Sequence, residues 1–302
     1  MTVAENLPIV VGVDGSTPAT AAARWAAAEA MLRGRPLRLV HTYSWPVAPA
    51  AVTAPSFVIS EESLREAAEA VLSEALADVR QAVPGVPVAG RVIAGSASHV
   101  LLELSSTAGM VVVGHRGHGG FASLLLGSVA AHVVAHARCP VALVRPAAAG
   151  TDAPAVAADA PVVVGVDGSA ISDGAVRVAF EEAELRGVAV HAVHAWDPPA
   201  LPWRTDIRPL VRDEAELETA EAGRLRDWVH PWQEKHPQVP VEYQLTPRRP
   251  AGALLDASRT AALLVVGSRG HGTFTGLLLG SVSQQVIHHA AGPVLVVHPP
   301  AD

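Results

Sequence analysis

The sequence predicts an α/β fold: two copies of a doubly wound, Rossmann-like domain of flavodoxin size, each on a five-stranded parallel sheet. Three observations predict it. An internal repeat halves the chain, strand and helix signals alternate within each half, and glycine-rich turns follow the apolar strands.

The repeat is held at one spacing throughout. Residues 10–16 (VVGVDGS) return as 163–169, 114–119 (GHRGHG) as 267–272 (GSRGHG), and 124–129 (LLLGSV) as 277–282, each 153 residues on. His41 and His194 share that spacing. An offset maintained over half the chain means duplication of a domain, not a solenoid. The expected domains are 7–146 and 161–299, joined by an Ala/Pro-rich linker over 147–160.

Within the first copy, residues 8–14 form an apolar run of the kind that a strand buried on both faces requires. Ser16 or Thr17 caps an Ala-rich helix that ends near Gly34. Residues 37–41 read as a second strand, and Ser60 with Ser63 opens a long amphipathic helix to Ala82. Then follow a strand over 86–93, a helix over 98–107, a strand over 110–114, a glycine loop, a helix from Ser128 and a strand over 141–145. Strands alternating with helices give a parallel sheet with right-handed crossovers. Such sheets bind ligands at the carboxyl ends of strands, where the winding reverses.

The residues at those ends are glycines, an aspartate and a serine. Gly12 and Asp14 close strand one. Gly114, Arg116 and Gly117 follow strand four, with His118 and Gly119 beyond them, and Gly127, Ser128 and Val129 open the last helix. The second copy repeats the set as Gly165, Asp167, Gly267, Arg269, Gly270, His271, Gly272, Gly280, Ser281 and Val282. Glycine permits positive φ and close approach of a ligand to main-chain N–H groups, and a helix N-terminus adds free N–H groups and a favourable dipole. The site suits a polyphosphate. Asp14 would repel phosphate at contact, so it is expected to accept from a ribose or a base amine, to ligate a metal, or to cap the first helix. Arg116 and Arg269 either face phosphate or are solvated, and His118 and His271 read as exposed loop residues.

Composition narrows the classes. A net charge of −7 argues against a nucleic-acid partner. The single cysteine, Cys139, points to a reducing compartment and a packed side chain. The short polar start carries no signal-peptide pattern, and no apolar run approaches membrane length, so a cytoplasmic protein without a membrane partner is expected. His132 and His136 stand four apart on a helix, but their counterparts are Gln285 and His289, so no metal site is expected. Trp45, Trp196 and Trp203 fall in long loops after strand two, where they either shield a base or pack.

At these motifs the chain resembles the universal stress protein family. The ATP-binding branch carries Gly, two residues, Gly, nine residues, then Gly with Ser or Thr: here Gly114, Gly117, Gly127 and Ser128, and again Gly267, Gly270, Gly280 and Ser281. The strand-one turn and the strand-two exit at His41 and His194 match as well, and the resemblance spans both halves nearly end to end. It implies ATP, with or without Mg²⁺, in each half, with phosphates on 117–119 and 127–129 and adenosine between 12–14 and the end of strand two. It also implies a homodimer through domain pairing and an unidentified regulatory protein partner. The strands over 140–144 and 293–297, short and uncharged, are the expected pairing edges, and the leucines at 124–126 and 277–279 the surface for a second chain. One departure stands out: Gly95 after strand three becomes Arg248, followed by Arg249.

The functional expectation is a nucleotide-dependent stress regulator and not a fast enzyme. The alternatives are an adenylate-forming hydrolase, whose usual SGGxDS turn the VDGS here does not match, and a pure interaction module, which the intact glycines disfavour. No GxxxxGK[ST] loop occurs, and the single Lys235 lies far from either glycine loop.

Overall fold

The computed structural model describes residues 7–44, 60–118, 125–146, 157–196, 214–247, 249–270 and 278–299. The chain divides into two compact units between residues 148 and 149.

Unit 1 runs β1 (Ile9–Gly12), α1 (Thr17–Arg33), β2 (Leu37–Tyr43), α2 (Glu61–Ala82), β3 (Val88–Ala94), α3 (Ala97–Ser105), β4 (Met110–Gly114), α4 (Ser128–His136) and β5 (Val141–Val144). Its strands stand in the order β3-β2-β1-β4-β5, and every adjacent pair is parallel. The winding therefore reverses between β1 and β4, the switch point at which ligands bind such sheets. Helices α1 and α2 pack together and so do α3 and α4, consistent with a sheet covered on both faces.

The local signals explain the elements. Ser16, extended at φ −75°, caps α1 by accepting the Ala19 N–H at 3.3 Å, and Gly34 ends the helix in the left-handed conformation. Between them Ala22, Ala23, Ala26, Ala27 and Ala30 are buried; their small side chains let the helix lie close to the sheet. Ile9, Leu37, Leu39 and Leu143 are among the largest fully buried side chains of the unit, each contributing about 2 kcal/mol on burial. Strand β2 runs two residues beyond its apolar stretch, because Thr42 and Tyr43 still pair with Ile93 and Ala94.

Unit 2 repeats the plan with β6 (Val162–Gly165), α5 (Ala170–Arg186), β7 (Val190–Trp196), α6 (Glu214–Lys235), β8 (Val241–Pro247), α7 (Pro250–Ala257), β9 (Leu263–Gly267), α8 (Ser281–His289) and β10 (Val294–Val297). Its parallel order is β8-β7-β6-β9-β10. Phe180, Leu263, Leu264, Ile287 and Leu295 form its core. Trp196 closes β7 with 8% of its surface exposed, so it belongs to the strand and not to a loop; Trp45 and Trp203 lie outside the described residues. Among the described residues no helix is long and apolar enough to cross a membrane. Leu125 and Leu278, at matched positions, are about half exposed, whereas Leu126 and Leu279 are buried; Leu124 and Leu277 lie outside the described residues.

Candidate functional site

In unit 1 a cavity of about 200 Å³ opens at the carboxyl ends of β1, β2 and β4. Gly12, Val13 and Asp14 line it from β1, Val40, His41 and Thr42 from β2, and Gly114, Arg116 and Gly117 from β4. Ala97 and Leu101 of α3 give it an apolar side, and Gly127, Ser128, Val129 and Ala130 bring the start of α4 to it. Nearly every residue expected at the unit 1 site thus meets there. His118 adjoins it through its backbone, and Gly119 lies outside the described residues. The apolar lining at Val13, Val40, Ala97 and Leu101 was missed in the sequence, where it is indistinguishable from core.

Gly127 is the N-cap of α4, and among the described residues no side chain caps the helix. A helix leaves its first N–H groups without intrahelical acceptors, so those of Ser128, Val129 and Ala130 are donors for an anion, and the Ser128 hydroxyl adds another. The Gly127 N–H donates to the His115 carbonyl at 2.8 Å, which closes the loop at its base. A Cβ on Gly127 would lie 3.3 Å from the Arg116 Cα, tight enough to disturb that closure.

Two expectations about this loop need correction. None of Gly114, Gly117, Gly127, Gly267, Gly270 and Gly280 has positive φ; in these turns Gly15 (83°) and Gly168 (79°) do. The loop glycines are needed for contact. A Cβ on Gly114 would stand 2.7 Å from the Pro18 carbonyl oxygen, so that glycine lets α1 reach the end of β4. A Cβ on Gly117 would overlap Asp14 Oδ2. Asp14 is itself already bonded: Oδ1 accepts the Ser16 N–H (3.0 Å) and O–H (2.6 Å), and Oδ2 accepts the His118 N–H (2.9 Å). Of the readings open to Asp14, capping α1 falls, since Ser16 is the cap and Asp14 secures Ser16.

Unit 2 sets out the same parts. Gly165, Asp167, Gly267, Arg269 and Gly270 occupy the matching strand ends, Gly280 is the N-cap of α8, and Ser281 and Val282 begin it. The Gly280 N–H donates to the Ser268 carbonyl at 2.8 Å. Asp167 Oδ1 accepts the Ser169 N–H at 2.9 Å, and a Cβ on Gly270 would overlap its Oδ2. His271, Gly272 and Arg248 lie outside the described residues.

The walls differ. His41 and His194 each place Nδ1 2.7 Å from a strand-one carbonyl, of Val13 and Val166, so Nδ1 carries the proton. His41 is half-buried. His194 is buried: Trp228 meets it edge-on at 5.2 Å, and Glu221 Oε2 lies 3.6 Å from its Nε2. The residues matched to Trp228 and Glu221 at the 153-residue offset are Ala75 and Ala68, and that mismatch is the signal in the sequence that the two walls differ. Arg249 has φ 63°, the one positive φ outside glycine among the described residues, where unit 1 has Ser96 after a left-handed Gly95.

Other candidate groups are accounted for. Burial pushes the Cys139 thiol up to about 12. The His136 Nδ1 lies 2.9 Å from the His132 carbonyl, a bond within α4.

Fold and site together define a duplicated doubly wound α/β protein with an anion-suited cleft at the strand ends. The profile of the Universal stress protein family matches residues 6–145 and 160–298, and the chain belongs to that family. It is 38% identical to a universal stress protein of Mycolicibacterium smegmatis over 296 residues, covering 96% of this chain and 97% of that one. A universal stress protein of Mycobacterium tuberculosis is 40% identical over 302 residues, covering 95% and 96%. Among solved structures, a universal stress protein from Archaeoglobus fulgidus superposes with a TM-score of 0.69 at 20% identity, over 96% of this chain and 97% of that one. That likeness is one of fold.

Proposed function

We propose that each unit binds an adenine nucleotide, ATP with or without Mg²⁺, at its strand ends, and that the protein is a nucleotide-dependent regulator of a stress response and not a fast enzyme. The observation that carries the reading is the pairing, in one cavity, of an apolar side with an uncapped helix N-terminus. Val13, Val40 and Leu101 suit a base, while the first-turn N–H groups of α4 and the Ser128 hydroxyl suit phosphate. The matched glycines, Ser281 and Val282 of unit 2 extend the reading to a second site. Mg²⁺ would enter on the phosphates, since Asp14 already accepts from three protein donors.

The reading as a regulator draws on two groups of unit 1. The Cys139 thiol has no thiolate at neutral pH. The His115 imidazole is pushed down to about 4, first by burial and then by the Arg145 and Arg116 charges, so it is neutral at physiological pH. The readout of nucleotide occupancy would be a protein partner.

Mass spectrometry of the small molecules released from purified, denatured protein tests the ligand. ATP or its adenine products are expected. Release of a compound without adenine, from protein that also fails to take up ATP, would replace this reading.

A further inference from the structure

The cavity holds a carboxylate in what is proposed to be a phosphate cradle. Two like charges at contact distance repel each other at the effective dielectric of a protein surface. Yet both copies of the domain keep the aspartate, at 14 and at 167. The geometry accounts for this. The Asp14 oxygens face protein donors: Ser16 N–H and O–H on Oδ1, and on Oδ2 the N–H of His118, 104 residues away. The first two lie in the turn after β1, and the third in the loop after β4. Gly117, between them, is the residue whose Cβ would displace the carboxylate. Unit 2 repeats the Ser169 bond and the same contact at Gly270.

We propose that Asp14, and Asp167 in its unit, are positioning residues: each carboxylate clamps the glycine loop to the strand-one turn and so sets the phosphate-facing arm of the site. The glycines at 117 and 270 are then required by the clamp and not by the ligand. This rests on the nucleotide reading above and adds a specific consequence to it. Losing the clamp costs the phosphate part of binding and spares the nucleoside part.

Amide hydrogen exchange on the full-length chain tests it, because it reads each unit separately and reads the clamp without any ligand. In Asp14→Asn an amide replaces one of the accepting oxygens, so the bond to His118 or that to Ser16 is lost. Protection at the amide that loses its acceptor, His118 or Ser16, is expected to fall by about tenfold, the worth of a charged hydrogen bond. Protection of the 128–130 amides is then followed while ATP, and separately adenosine, is titrated in. The ATP midpoint should rise by about tenfold or more and the adenosine midpoint stay within about twofold. Gly117→Ala, which breaks the clamp from the other side and leaves the carboxylate, should give the same split if Asp14→Asn does not fold. Unchanged protection at both His118 and Ser16 in either folded variant overturns the clamp. Equal losses for ATP and adenosine overturn it too, since they make Asp14 a direct nucleoside contact. Wild-type protein that takes neither ligand refutes the nucleotide reading and leaves the ligand-free exchange to decide the clamp.

Discussion

Units 1 and 2 share a backbone plan but not a chemistry around it. Both keep the aspartate turn, the closed glycine loop and the uncapped final helix. They part at the walls. Where unit 1 has Ala19 and Ala130, unit 2 has Ser172, which accepts the Asp167 N–H at 3.1 Å, and Ser283, which donates to the Gly267 carbonyl at 2.7 Å. Where unit 1 has Ala75 and Ala68, unit 2 has Trp228 and Glu221 over His194. Where β3 leads into a left-handed glycine, β8 leads to Arg249 in a conformation that favours glycine. The parts that would meet phosphate are those the duplication preserved; the parts beside the second and third strands, where a base would lie, are those it let drift. The two sites should therefore share an affinity for polyphosphate and differ in what else they accept.

The largest expected difference lies at the fourth strand. Gly114→Ala drives a methyl against the Pro18 carbonyl and the Ala19 nitrogen, backbone atoms that move only with α1. Its counterpart Gly267→Ala meets first the Ile171 side chain at 2.8 Å, which can turn, although the Arg269 carbonyl stands at 3.0 Å. Gly114→Ala should cost about 3 kcal/mol and Gly267→Ala about 1–2 kcal/mol. Urea denaturation read by exchange at β4 and β9 separates the two, and equal costs would break the comparison.

A smaller difference concerns acid. His115 is buried in unit 1, with its Nδ1 lacking a hydrogen-bond partner among the described residues, whereas unit 2 has Ser268 there. Its folded pKa, about 4, lies below the ordinary 6.5, so the unfolded chain takes up the proton first as pH falls. The stability this group contributes is full above pH 6.5 and is lost progressively down to about pH 4, on the order of 2 kcal/mol. Thermal melts between those limits should show unit 1 losing stability, and His115→Ser should abolish that loss. A slope unchanged by the substitution would assign the acid sensitivity to other groups.

The smallest effect belongs to Ser283→Ala, which removes a buried hydrogen bond and restores the alanine of unit 1. It should cost unit 2 about 1 kcal/mol. No measurable cost would mean that the extra hydroxyl is a neutral difference between the halves.

The sequence exposed the plan of this molecule more fully than its contacts. The alternation of apolar runs and capped helices located the elements to within a few residues, because Ser16, Ser60 and the left-handed Gly34 are local devices that act on their own neighbours. The glycine loop was visible for the same reason, as a spacing. What the loop touches was not. Gly117 looks like a glycine that admits a ligand, and it is one that admits Asp14, a residue about a hundred positions away. Trp228 reads as an ordinary helix residue, and it covers His194 only because α6 crosses above β7. Periodicity reports which face of an element is buried; it does not report against what. Laying the second copy on the first would have shown Trp228 opposite Ala75 and hinted that the two walls differ.

The strand-end cleft of each unit is proposed to bind adenine nucleotide. Calorimetric titration of ATP into the nucleotide-free, full-length chain tests it most directly. Up to two ATP per chain are expected, one for each unit, with separable affinities because the walls differ. A well-folded chain that shows no binding at millimolar ATP would contradict it.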